Sequence, residues 1–373
     1  TAYEISVCDW SSVCSSDLEA VSAQRDLEAF EQTCSSDPLS SSGEVDLSAL
    51  AGKDVVIVFV ESLGRVALEA PEANDVRDAF RDEETRLEDL GYQATSAYLT
   101  SPTFGGSSWL AHATLQAGVT VSDQSRYDLL LESPRATLSS VFQREGWRTV
   151  AVLPGSRGEW PEGQAFFRFD QVYDGSDLGY AGPRFGFSIP DQFALTAFGE
   201  LELDEPERAP VLAQIELTSS HAPWAPLPTI VDSSDLGDGS AYEDIKADAV
   251  TAAELWRDRS QVPAAYRASI VYSLESVLSF LEQRRDDDLV VIMLGDHQPS
   301  TIVSGFGSDH DVPVSIVSRD RAVLDRVAGW GWDDGLVPDP DAPLWPMADF
   351  RDRFLQAYGA VDRVDPGPLE AAP

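Results

Sequence analysis

The chain has 373 residues, 43% of them hydrophobic and nine of them Trp, ample for the core of one large α/β domain or two smaller ones. Sixty-four Asp and Glu against 26 Lys and Arg give a net charge of −38, which excludes nucleic-acid binding through a broad basic face. No apolar run approaches the roughly 18–20 residues that span a bilayer, and no Cys lies beyond residue 34, so neither a disulfide framework nor a Cys-based zinc site holds the rest of the chain.

Residues 1–50 are rich in Ser, Asp and Glu, with a short amphipathic stretch over 18–30 and a polar linker over 34–43. They read as a segment outside the folded domain, which runs from 51 to 373. The string Val13-Cys14-Ser15-Ser16-Asp17-Leu18 is what a common sequencing adapter encodes when translated, so residues 1–18 read as non-native sequence.

The domain opens on a buried-strand pattern, Val55-Val56-Ile57-Val58-Phe59-Val60, that ends in Glu61. A carboxylate flanked so hydrophobically either caps the following turn or is paired or metal-bound. A helix over 75–90 and a strand over 94–99 follow. Next comes the loop Thr100-Ser101-Pro102-Thr103-Phe104-Gly105-Gly106-Ser107, then a helix over 108–117 with Gly118 past its end. Ser108 suits the N-cap of that helix. The same place suits a nucleophile, because free backbone N–H groups and the positive end of the dipole favour an anionic substrate there.

A helix over 135–145 and a strand over 147–153 lead into an aromatic, Gly-rich stretch, 154–188. Helix 190–201 and strand 210–217 then bring in Ser219-Ser220-His221-Ala222-Pro223, a loop whose Pro forbids helix. Residues 229–262 are acidic and turn-rich and read as a surface insertion beside a cleft. Helix 263–285 precedes a strand over 289–294 that stops at Gly295 and is followed at once by Asp296 and His297. A strand over 312–317, a helix over 320–328 and a terminal helix over 347–358 complete the domain. Such alternation predicts an α/β fold with a mainly parallel central sheet and helices on both faces, its ligands gathered beyond the carboxyl ends of the strands. The chain has four histidines. Of these, His221, His297 and His310 fall at that predicted edge, and His112 lies on the helix after Ser108.

Taken together, these motifs resemble the alkaline phosphatase/sulfatase superfamily. The resemblance is greatest to its bacterial branch of lipoteichoic acid synthases and phosphoethanolamine transferases, and it runs from about residue 54 to 317. It rests on the strand ending in Glu61, Gly-Gly-Ser-Ser108-Trp, Ser-Ser-His221-Ala-Pro, Gly-Asp296-His297, and His310 before the strand at 312. It implies that Glu61, Ser108, Asp296 and His297 bind one divalent cation, with Mn or Zn favoured over Mg. His221 and His310 would contact the phosphoryl or leaving group. That branch uses Thr as nucleophile where this loop offers Ser108, with Ser107 and Thr103 as alternatives. The Ser/Cys-x-Pro-x-Arg pattern of most sulfatases is missing at Ser101-Pro102-Thr103-Phe104.

The expected function is a metal-dependent phosphotransferase or phosphodiesterase working through a phosphoseryl intermediate on a lipid-linked or glycerol or ethanolamine phosphodiester. One alternative is hydrolysis of phosphate or sulfate monoesters; another is a catalytically silent metal-binding domain of the same fold. Arg65 and Arg157 are candidate contacts for the anionic substrate, or plain surface arginines. The chain begins with Thr1, and the expectation is a longer protein whose upstream anchor holds this domain at the extracytoplasmic face of a bacterial membrane. Membrane contact would come only through that anchor.

Overall fold

Seven consecutive residues of the first strand, Asp54–Val60 (β1), are buried, and the side-chain period of two divides them between two layers. Val56, Val58 and Val60 pack with the helices Asn74–Asp89, Asp191–Phe198 and Val262–Arg284. Val55, Ile57 and Phe59 pack with Ser108–Ala117, Leu138–Arg144 and Phe350–Tyr358. The computed structural model describes residues 10–40 and 45–359. Within them a single sheet lies between these two helical layers.

The remaining strands are Gln93–Thr100 (β2), Arg148–Leu153 (β3), Gln171–Asp174 (β4), Val211–Leu217 (β5), Leu289–Gly295 (β6), Asp311–Ser318 (β7), Asp333–Asp334 (β8) and Leu344–Pro346 (β9). They run in the order β4-β3-β5-β1-β6-β7-β2-β8, with β9 also beside β2. Pairing is parallel from β4 through to β6. Only β7, inserted antiparallel between β6 and β2, and the two-residue β8 depart from it. The mainly parallel sheet with helices on both faces is thus the architecture found. Reversal of β7 has a consequence for function: its first residues, and His310 just ahead of them, lie at the same edge as the carboxyl ends of β1, β5 and β6.

The differences from the sequence reading are local. The helix expected over 320–328 is a short helix, Arg321–Asp325, and then a separate 3-10 turn, Ala328–Trp330. The 154–188 stretch holds the helix Pro161–Phe167 and the edge strand β4, neither of which has a clear apolar period. The insertion is more than a loose loop: Leu236, Tyr242 and Leu255 are buried, and the Tyr242 hydroxyl donates to Gln192 Oε1 at 2.9 Å.

Ahead of the sheet, Trp10–Ser35 is one long helix, and part of the stretch read as a polar linker is anchored. Phe30 and Cys34 are buried in a third apolar cluster. Asp37 accepts from Arg351 Nη1 at 2.8 Å and Nη2 at 3.2 Å, both side chains being buried.

Candidate functional site

The site forms where three parallel strands end. Beyond β1 the chain turns sharply at Glu61 and Ser62; Ser62 has a φ of 59°, a left-handed conformation costly for a residue with a Cβ. Three contacts hold that turn. The Tyr266 hydroxyl donates to the Ser62 carbonyl at 2.8 Å, and the Ser220 hydroxyl, just past β5, donates to the Glu61 carbonyl at 2.6 Å. At the end of β6, Gly295 permits the third: a Cβ there would sit 1.8 Å from the Leu63 carbonyl oxygen. The close approach of the two turns needs glycine at that position.

Contact between the turns sets the ligands. The backbone N–H groups of Ser62 and His297 each donate to Asp296 Oδ1 at 2.7 Å, leaving Oδ2 to face His297 Nε2 at 3.6 Å. Glu61 Oε1 accepts from the Ser62 hydroxyl at 2.8 Å and lies 3.4 Å from the same Nε2. His297 Nδ1–H donates to the Gln298 carbonyl at 2.8 Å, which fixes the ring and directs the Nε2 lone pair to the centre. One donor atom from each of Glu61, Asp296 and His297 lies within 4.8 Å of the others, all three residues being buried.

Ser108 completes the group. Its hydroxyl donates to Glu61 Oε2 at 2.9 Å and lies 3.2 Å from His297 Nε2. It is the first residue of the helix Ser108–Ala117; the cap position belongs to Ser107, whose φ is 65° and whose side chain makes no capping bond. The N-cap role open to Ser108 in the sequence is therefore taken by its neighbour. Thr103 is buried beside Ser101, which donates to the Asp296 carbonyl at 2.6 Å. Of the three hydroxyls considered, only that of Ser108 bonds to the cluster.

Electrostatics favour a cation here. Burial first, and then the nearby Asp296 carboxylate, push the Glu61 carboxyl above its ordinary range. Burial would raise Asp296 too, but His297, His112 and the bonds from Ser108 and Ser62 outweigh it and hold that carboxyl below its usual range. Among the described residues no Lys or Arg pairs with either carboxylate. Two buried acids, an oriented imidazole and a hydroxyl form a hard, oxygen-rich donor set for a divalent cation.

The other proposed residues divide into two pairs. His221 and His310 are exposed at the rim: His221 meets the Phe187 ring edge-on at 4.8 Å, and His310 contacts the Phe104 ring at 5.4 Å and the Ser101 carbonyl at 3.2 Å. Arg65 is turned elsewhere, with Glu69 at 2.9 Å, Asp311 at 3.3 Å and the Pro340 carbonyl at 2.6 Å. Arg157 is exposed, close enough to Arg184 to depress the latter's pKa after the larger effect of burial.

Sequence reasoning gave no role to His112 or Glu216. His112 sits one helical turn from Ser108, is buried against the Phe59 ring at 4.2 Å, and pairs through Nδ1 with Glu216 Oε1 at 2.9 Å. Burial draws its pKa down, yet Glu216, with Asp296 and Glu61 beyond, holds it above the ordinary range. The i,i+4 spacing from Ser108 and a Glu inside a strand that is apolar but for Gln214 were the available signals.

Comparison with known proteins gives the fold and the family. The fold is similar to that of the lipoteichoic acid synthase LtaP from Listeria monocytogenes, at 15% identity and a TM-score of 0.52, over 88% of this chain and 76% of that one. It is similar also to the C-terminal periplasmic domain of EcEptC from Escherichia coli in complex with Zn, at 14% identity and a TM-score of 0.54, over 88% of this chain and 86% of that one. No curated protein matches by sequence. The sulfatase family model matches residues 53–312, a span that runs from just before β1 to the start of β7 and takes in Glu61, Ser108, His221, Asp296, His297 and His310; the chain belongs to the sulfatase family.

Proposed function

We propose that this sulfatase-family domain is a metal-dependent phosphotransferase or phosphodiesterase with Ser108 as its nucleophile. The observation that carries the reading is the Ser108 hydroxyl at a helix N-terminus, 2.9 Å from Glu61 and 3.2 Å from His297. Glu61, Ser108, Asp296 and His297 would hold one divalent cation, Mn or Zn before Mg. When bound, such a cation neutralises the buried carboxylates and lowers the pKa of a coordinated hydroxyl.

The chain's own residues do the rest. Ser108 Oγ attacks phosphorus while the bond to the leaving alcohol breaks, which leaves a phosphoseryl enzyme. Free N–H groups at the start of the Ser108–Ala117 helix stabilise the charge on the phosphoryl oxygens. His221 and His310, at the rim, hold those oxygens or protonate the leaving oxygen. An acceptor alcohol or water then releases the phosphoryl group from Ser108.

Two observations favour a phosphodiester over a monoester or a sulfate. Glu61, Asp296 and His297 are the one group of potential metal ligands among the described residues, which suits a single cation. The chain also lacks the Ser/Cys-x-Pro-x-Arg motif of most sulfatases. LtaP is a lipoteichoic acid synthase and the EptC domain is periplasmic; likeness to them supports an extracytoplasmic location, and the motif resemblance supports a lipid-linked glycerol or ethanolamine phosphodiester as substrate. No helix among the described residues is long and apolar enough to cross a membrane. In the test, the Mn²⁺-loaded protein is incubated with phosphatidylglycerol or phosphatidylethanolamine and the Ser108 peptide is weighed. A headgroup-phosphate adduct is expected. Turnover of p-nitrophenyl phosphate or sulfate in preference to bis-p-nitrophenyl phosphate, with no adduct, overturns the reading.

A further inference from the structure

The helix that begins at Ser108 has no side-chain cap, since the Ser107 hydroxyl makes no capping bond. One face of that helix carries Ser108, His112 and Gln116 at intervals of four residues. A helix packed on a sheet usually buries apolar side chains against it. Here His112 and Gln116 are buried against two polar residues of β5, Gln214 and Glu216, and hydrogen bonds join all four.

Glu216 is the centre of the network. Its Oε1 accepts from His112 Nδ1–H at 2.9 Å and from the Gln214 side-chain amide at 3.1 Å. Gln214 Oε1 accepts in turn from the Gln116 amide at 2.9 Å, and Gln116 Oε1 accepts from the Ser139 backbone N–H at 3.0 Å. The helix is thus tied to β5 at two places, and through Ser139 to the helix Leu138–Arg144. In the sheet Glu216 lies level with Phe59, two residues short of Glu61, and the Phe59 ring meets His112 at 4.2 Å. The network therefore runs just beneath the metal-ligand cluster.

Apolar burial is non-directional and does not by itself fix how a helix is rotated about its axis, whereas hydrogen bonds constrain both distance and angle. Ala111, Ala113 and Ala117 are buried and offer little side chain to interlock. A shift of about 1 Å at a reacting atom costs on the order of 10²-fold in rate. We propose that Glu216 is a positioning residue: through His112, Gln214 and Gln116 it fixes the rotation of the Ser108–Ala117 helix and so holds the Ser108 hydroxyl against Glu61 and His297. This deepens the reading of Ser108 as the nucleophile and rests on it.

The test uses the full chain with Mn²⁺ and bis-p-nitrophenyl phosphate. Glu216→Leu leaves His112 Nδ1–H and the Gln214 amide without their acceptor; kcat should fall about 10²-fold, with KM changed less than about threefold. Glu216→Gln keeps an acceptor oxygen and should hold kcat within about fivefold of wild type. Leu212→Ala, a truncation in the core on the same face of β5, should lower Tm yet leave kcat within about twofold. Hydrogen exchange in EDTA gives a readout without turnover, each variant being held at the same interval below its Tm. Amides of residues 108–117 should exchange at least about threefold faster in Glu216→Leu, and at the wild-type rate in Glu216→Gln and Leu212→Ala. Should Glu216→Leu fail to fold, Gln116→Met, which breaks the network at its other end, takes its place with the same expected changes. Equal kcat losses in Glu216→Leu and Leu212→Ala, or wild-type exchange in Glu216→Leu, overturn the proposal. Wild-type protein without phosphodiester turnover overturns the nucleophile reading alone, and exchange then decides the network.

Discussion

At the scale of single residues, the site consists of buried acids that no Lys or Arg among the described residues pairs with, and their titration gives measurable consequences. Glu61 has a folded pKa above its ordinary value, through burial first and Asp296 second. A carboxyl shifted this way lends stability that is full below its unfolded pKa and is lost as pH rises through the folded one. Asp296, shifted down, exerts its effect below about pH 4 and adds no slope above that. Cation-free protein should therefore lose Tm as pH is raised from 5 to 7.5. The Tm gain on adding Mn²⁺ should be larger at pH 7.5 than at pH 5, because cation and proton compete for the same oxygens. Differential scanning fluorimetry in EDTA and in Mn²⁺ checks both; an equal gain at the two pH values would count against the ligand set. Asp296→Ala with His297→Ala should abolish Mn²⁺ uptake by elemental analysis. Ser108→Ala should lower phosphodiester turnover by at least about 10³-fold while most cation affinity remains.

At the scale of elements, the ligands come from two turns that touch, and Gly295 governs the contact. Adding one methyl group there places it 1.8 Å from the Leu63 carbonyl oxygen, so one turn must move. Gly295→Ala is expected to weaken Mn²⁺ binding about 10–100-fold, the effect typical of losing ligand orientation, with a destabilisation of about 1–3 kcal/mol from overpacking. Isothermal titration and denaturant melts separate the two effects. The carboxyl end of β1, carrying Glu61, and that of β6, carrying Asp296, were legible because both strands read as unbroken apolar runs ending in a polar residue. β4 was not legible: it is four half-buried residues at the sheet edge, and nothing in Gln171-Val172-Tyr173-Asp174 distinguishes it from a loop.

At the scale of the whole molecule, a chain of net charge −38 places one of its scarce cations deep in its interior. Arg351 on the last described helix pairs with Asp37 near the other end of the chain, and Arg351 Nη1 also donates to the Ala136 carbonyl at 2.6 Å. Burial would raise Asp37, but the Arg351 guanidinium holds its carboxyl below the usual range. Removing one partner leaves a buried charge alone, so Arg351→Met should cost about 3–5 kcal/mol in urea melts, and Asp37→Asn in the same background should recover part of it. Strict additivity of the two substitutions would mean that they do not interact.

The amino-acid order by itself determined the layering of helices on a parallel sheet, because apolar runs of strand length alternating with helical periods leave few other ways to bury both. It also brought Glu61, Ser108, Asp296 and His297 to one edge, since residues that follow parallel strands emerge on the same side. Only the tertiary structure decided which hydroxyl reaches the cluster, as Ser107 and Ser108 differ by one position and the left-handed turn at Ser107 selects between them. It turned Arg65 away from the centre towards Glu69 and Asp311, and it paired His112 with Glu216 across 104 residues of chain. Those outcomes depend on side-chain contacts between segments far apart in sequence, and neither periodicity nor spacing along the chain encodes them.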